Sequence, residues 1–117
     1  MGLEELPPSP PRRMTKNSGY LIQSNSGIKG NFEVVVRVLG GLQHWYRNND
    51  DPSLPWIYTS TFAPNAASTP ALIQTPIGRF TRGNFEVVFR NSQDRLEHWS
   101  RINDDPTPPW IYRSTLR

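Results

Sequence analysis

The side chains able to do chemistry come in matched pairs. Glu33 and Glu86 sit inside the same hexapeptide, GNFEVV, which runs from Gly30 to Val35 and again from Gly83 to Val88. Each copy is followed by a His-Trp pair, His44-Trp45 and His98-Trp99, then by Asn-Asp-Asp-Pro and Pro-Trp-Ile-Tyr. A lone His in each copy is a poor metal set, and no carboxylate stands at a spacing that supports hydrolysis. A hydrogen-bonded structural His is the better reading of His44 and His98. The Asn49-Asp50-Asp51 run and its copy at Asn103 invite calcium. They lack the alternate-residue ligands and the Gly of an EF-hand loop, so turn capping is the better reading.

Other reactive sets are missing. There is no cysteine, which excludes disulfides, a thiol nucleophile and a thiolate metal site. No Ser-His-Asp order, Gly-rich phosphate loop or HExxH motif occurs. The expectation is a protein that is not an enzyme and uses no cofactor or metal. What remains is binding chemistry. Trp45, Trp56, Trp99 and Trp110 could stack on the apolar face of a sugar ring, or could fill space between repeats. Arg37, Arg47, Arg90 and Arg101 with Glu33 and Glu86 could bond vicinal hydroxyls, or could pair with one another as salt bridges between repeats.

These residues need strands to position them. Asn31–Val38 alternates Phe32, Val34, Val36 and Val38 on one face with Glu33, Val35 and Arg37 on the other. Its copy alternates Phe85, Val87 and Phe89 with Glu86, Val88 and Arg90. Gly40-Gly41 supplies a hairpin turn, replaced by Asn91 to Asp94 in the second copy. A shorter strand precedes each, at Tyr20–Gln23 and Ala71–Gln74, bounded by turn formers at 24–27 and 75–78. Third strands follow at Leu42–Arg47 and Leu96–Arg101, and fourth strands at Trp56–Phe62 and Trp110–Leu116. In the third strands both faces carry large side chains, so both are expected to be covered.

The totals agree with a strand-and-turn protein. The chain has 117 residues, 12 prolines and 8 glycines, and nothing in it has helical periodicity. Thirteen basic against 10 acidic residues give a formal charge of +3. The basic residues are scattered apart from Arg12-Arg13 and the Arg79–Arg82 pair, which argues against specific nucleic-acid binding. No apolar run approaches the ~20 residues of a bilayer span, and no signal-peptide h-region is seen. That places the chain in the cytoplasm if it is complete, and otherwise leaves its compartment open. The expected organisation is an extended Pro-rich leader at 1–19, repeats at 20–62 and 71–117, and a connector at 63–70.

Four short antiparallel strands recurring every ~40–50 residues are the signature of a β-propeller blade. The run LIQ…GNFEVVV…LQHWYRNNDDPSLPWIYTSTF resembles a bacterial and fungal propeller repeat group whose blades read LIQ, G-NFEVVV, L-HYWRDN and PW. It is similar, more loosely, to fucose- and galactose-binding propeller lectins. The resemblance covers 20–62 and 71–117. It implies an all-β fold of two four-stranded antiparallel blades. It also implies shallow, non-catalytic and multivalent binding of glycans or glycoproteins between blades. Matching positions in this chain are Glu33, Arg37 and Trp45, then Glu86, Arg90 and Trp99. The rival class is a structural or protein-interaction scaffold in which the aromatics only fill space. Two blades are too few to close a ring. The expectation is a piece of a longer propeller or a homo-oligomer that completes the ring.

Overall fold

The computed structural model describes residues 18–76 and 82–116. Arg12-Arg13, Arg79, most of the leader and the Ile77-Gly78 part of one turn lie outside the described residues. The chain is all-β. Strands β1 (Ser18–Gln23), β2 (Phe32–Val38), β3 (Gly41–Arg47) and β4 (Trp56–Phe62) form one antiparallel sheet in sequence order. Strands β5 (Ala71–Gln74), β6 (Phe85–Arg90), β7 (Leu96–Arg101) and β8 (Trp110–Leu116) form a second in the same way. Among the described residues no helix is long and apolar enough to cross a membrane. β1 starts at Ser18 rather than Tyr20, because Ser18 and Gly19 pair with Arg37 and Val36.

The glycine that opens each GNFEVV copy is a backbone requirement. Gly30 has φ +81°, and a Cβ there would lie 2.7 Å from the Ser24 carbonyl oxygen. A Cβ on Gly83 would lie 1.4 Å from the Thr75 carbonyl oxygen. In both copies the segment before β2 or β6 passes too close for any side chain. The Gly40-Gly41 turn also requires positive φ, at +97° and +140°. Its counterpart places Asp94 at φ 63° instead, a conformation that Asp tolerates.

A bulge governs the fourth strands. The β3–β4 register runs Trp45↔Tyr58 and then His44↔Ser60, so Thr59 has no cross-strand partner. Its hydroxyl donates to the His44 carbonyl at 2.9 Å. One extra residue reverses the side-chain phase. Trp56 and Tyr58 therefore share the Trp45 face, while Phe62 crosses to the His44 face. The same shift between His98 and Trp99 moves Leu116 across in the second sheet.

The two sheets meet through opposite faces. The first offers the face of Glu33, Val35, Leu42, His44 and Phe62. The second offers the face of Leu72, Phe85, Val87, Phe89 and Trp99. The core lies between them, built from Val35, Leu42, Phe62 and Ala63 against Ala66, Leu72, Phe85, Val87 and Phe89. Each fully buried Val, Leu or Phe side chain among them contributes ~1.5–3 kcal/mol over exposure. Phe62 and Trp110 stack across the interface with centroids 4.2 Å apart and planes 5° from parallel.

Candidate functional site

Cross-strand register builds the centre of the site. Val35 lies opposite His44, and Glu33 lies opposite Tyr46, so Glu33 and His44 are diagonal neighbours on one face. Glu33 Oε1 meets His44 Nε2 at 2.7 Å, and its Oε2 accepts the Ser24 hydroxyl at 3.0 Å. The other imidazole nitrogen, Nδ1, accepts the Trp110 indole N–H at 3.4 Å from the second sheet. Trp110 is a donor only, so His44 carries its proton on Nε2 and gives it to Glu33. Burial pushes the His44 pKa down, the bond to Glu33 opposes that, and the Arg101 charge adds to it. His44 is a fully hydrogen-bonded structural residue. It ties the two sheets together and leaves no nitrogen free for a metal.

A polar cleft of about 250 Å³ opens beside this pair at the sheet junction. Glu33, His44 and Tyr46 line it from the first sheet, with Ser26 and Asn31 from the β1–β2 loop. Arg101, Asn103, Arg82 and Pro108 line it from the second. Among the described residues Arg101 makes one hydrogen bond, from a terminal guanidinium nitrogen to Asn103 Oδ1 at 2.7 Å, and its guanidinium lies over the Phe85 ring at 5.7 Å. Asn103 in turn donates to the Gly83 carbonyl at 2.8 Å. The first copy repeats the clasp, with Arg47 donating to Asn49 at 2.6 Å and Asn49 to the Gly30 carbonyl at 2.8 Å. The clasp leaves Arg101 further N–H donors beside the Glu33 carboxylate. Burial lowers the Arg101 pKa, and Glu33 opposes that shift.

Neither set of three carried over from the resemblance shares one face of its sheet. Glu33 lines the inter-sheet cleft. Trp45 is on the opposite face of its sheet, edge-on to Tyr58, with its indole N–H donated to Gln43. Arg37 lies at the far end of β2, and its buried Nε has no hydrogen-bond partner among the described residues. Glu86 meets His98 Nε2 at 2.7 Å, on the outer face of the second sheet. Arg90 pairs with Asp94 at an exposed hairpin end. Trp99 is half-buried in the inter-sheet core, tilted against Phe62. Register separates Glu33 from Trp45: Glu33 lies opposite Tyr46, and Trp45, next to Tyr46 on β3, points to the other face.

Several cleft residues escaped the sequence reading. Arg101 was visible as a repeated Arg, but Asn31, Asn103, Tyr46 and Arg82 were not singled out as ligand contacts. The Glu–Arg salt bridge between repeats does not occur among the described residues. Glu33 and Glu86 each pair with the His of their own sheet instead. The Asn-Asp-Asp runs do cap turns: Asp51 accepts the Ser53 N–H and Asp105 the Thr107 N–H. Asp50 does something more. Its carboxylate accepts the N–H groups of Ile28 and Lys29 at 2.7 and 2.9 Å, which pins the β1–β2 loop and lowers its pKa. Among the described residues no three of His, Asp and Glu converge as a metal site. No protein-family model matches the chain, and no curated protein or solved structure matches it.

Proposed function

We propose that this protein is a non-catalytic carbohydrate-binding module of β-propeller type, with the inter-sheet cleft as its sugar site. The observation that carries this reading is the convergence of Glu33, Arg101, Arg82 and Asn103 on one open polar cleft. A carboxylate that accepts and a guanidinium that donates are the pair that brackets vicinal hydroxyls. Tyr46 adds an aromatic wall. Sites for drug-sized ligands run ~300–1,000 Å³, so a cleft of about 250 Å³ suits one sugar ring rather than a long chain. Binding at one such cleft is weak, and repetition of the unit raises avidity. His44 is held on both nitrogens and takes no part in proton transfer, which favours binding over hydrolysis.

The rival reading is an interaction scaffold. It is favoured by the Trp110–Phe62 stack and the half-burial of Trp99, which pack two of the four indoles against the core. A glycan array probed with the full chain decides between them. Binding that is lost in Arg82→Ala, an exposed cleft residue, supports the sugar site. A folded chain that binds no glycan overturns it.

A further inference from the structure

The two repeats have the same parts, but only one of each matching face is covered. Leu42 is 0% exposed, yet its counterpart Leu96 is 45% exposed. The His44 side chain is 1% exposed, and that of His98 is 34%. The opposite faces show the reverse. Leu72 is 1% exposed in the second sheet, while its counterpart Leu21 is 54% exposed in the first. The intrachain interface uses the His face of the first sheet and the Leu72 face of the second. Among the described residues, the His face of the second sheet and the Leu21 face of the first therefore stay without a facing sheet.

The unused His face also has an open acceptor. His98 Nε2 meets Glu86 as His44 meets Glu33. Its Nδ1 has no partner among the described residues, whereas His44 Nδ1 takes the N–H of Trp110. The counterpart of Trp110 is Trp56, which stands on the unused face of the first sheet. An apolar hollow of about 480 Å³, lined by Ala71, Ile73, Val88, Glu86 and His98, lies where the second sheet would seat another sheet.

We infer that a second copy of this chain docks its Leu21 and Trp56 face onto the His98 and Ile73 face. The contact repeats the one inside the chain, with Trp56 of the second copy donating to His98. It also brings the second copy's Arg47 and Asn49 opposite Glu86, as Arg101 and Asn103 stand opposite Glu33. A second cleft thus forms between the two chains. It differs from the first in that Ser100, which donates to Glu86 at 2.6 Å, stands in place of Tyr46. The interface joins two different faces, so it is heterologous and propagates until a ring closes. The docking itself does not depend on the proposed sugar binding.

Sedimentation velocity on the full chain tests this, with Leu21→Glu and Ile73→Glu each spoiling one exposed face. The wild type is expected to sediment as a multiple of 13.4 kDa. Each variant alone is expected to be monomeric with an unchanged β-sheet circular dichroism spectrum. Mixed in equal amounts they are expected to form a 1:1 pair, because each keeps the face the other has lost. Leu96→Glu serves in place of Ile73→Glu if that variant does not fold. A monomeric wild type, a single variant that still assembles, or folded variants that stay monomeric when mixed would each overturn the inference. A glycan array run on the same samples separates loss of assembly from loss of sugar binding.

Discussion

Trp110 donates its indole N–H to His44 Nδ1 across the sheet interface at 3.4 Å, with the rings edge-on and centroids 5.6 Å apart. That contact fixes the His44 tautomer, because the remaining N–H then has Glu33 as its acceptor. The imidazole thus serves the second sheet with one nitrogen and its own sheet with the other.

Stability should therefore depend on His44 protonation. Burial holds its folded pKa below the ordinary 6.5, so the unfolded chain takes up the proton first. Above that ordinary value both states carry a neutral imidazole and the full stability is present. As pH falls from there towards the lowered folded value, stability is lost, at up to about 1.4 kcal/mol per pH unit for one proton. Urea midpoints measured from pH 7.5 down to pH 5 should fall, and His44→Gln should flatten the part of the slope that His44 contributes. A wild-type midpoint that rises as pH falls would contradict the assigned tautomer.

Phe62 and Leu116 occupy matching positions but opposite circumstances. Phe62 is buried on Trp110, while Leu116 is exposed. Phe62→Ala should cost about 3–5 kcal/mol, the range for deleting a buried aromatic. Leu116→Ala should stay within about 0.5 kcal/mol in the monomer, as surface changes do. Denaturation of both variants in the Ile73→Glu background, where chains do not associate, gives the comparison.

The Arg–Asn–Gly clasp is present twice but buried once. Asn103 is buried and Asn49 is half-buried. Removing a partner from a buried polar group costs ~1–3 kcal/mol. Asn103→Ala should fall in the upper part of that range and Asn49→Ala in the lower. Hydrogen exchange at the amides flanking Gly83 and Gly30 would locate each loss.

Much of this architecture was legible. The bounds of β4 and β8 follow from aromatic and β-branched runs that begin directly after Pro55 and Pro109. The pairing of β2 with β3 follows from the Gly40-Gly41 turn. The bulge at Thr59 was not legible, since Trp56, Tyr58, Ser60 and Phe62 read as one unbroken alternation. Only the backbone register shows that Phe62 has changed sides. Which face of each sheet turns inward was hidden for a related reason. Both faces carry Val, Phe or Trp, and the choice is made by sheet-on-sheet docking, which no local pattern encodes. Glu33 stood out in the sequence and does line the cleft, but Arg82, Arg101 and Asn103 across from it come from the other repeat, far along the chain.

The cleft makes a sharper claim about sugar binding than the indoles did. Were Trp45 and Trp99 the sugar platforms, Trp45→Ala would abolish binding. Trp45 faces away from Glu33 and is already bonded to Gln43, so the cleft reading expects binding to survive that change. Arg101→Lys should be the damaging substitution. Lysine keeps the charge but not the planar fork that can hold Asn103 and a hydroxyl pair together. Affinity should drop about tenfold or more, the equivalent of ~1.4 kcal/mol, with the fold intact by circular dichroism. Titration calorimetry with the best array ligand reads both variants side by side. Loss of binding in Trp45→Ala with no change in Arg101→Lys would move the sugar to the outer face of the first sheet.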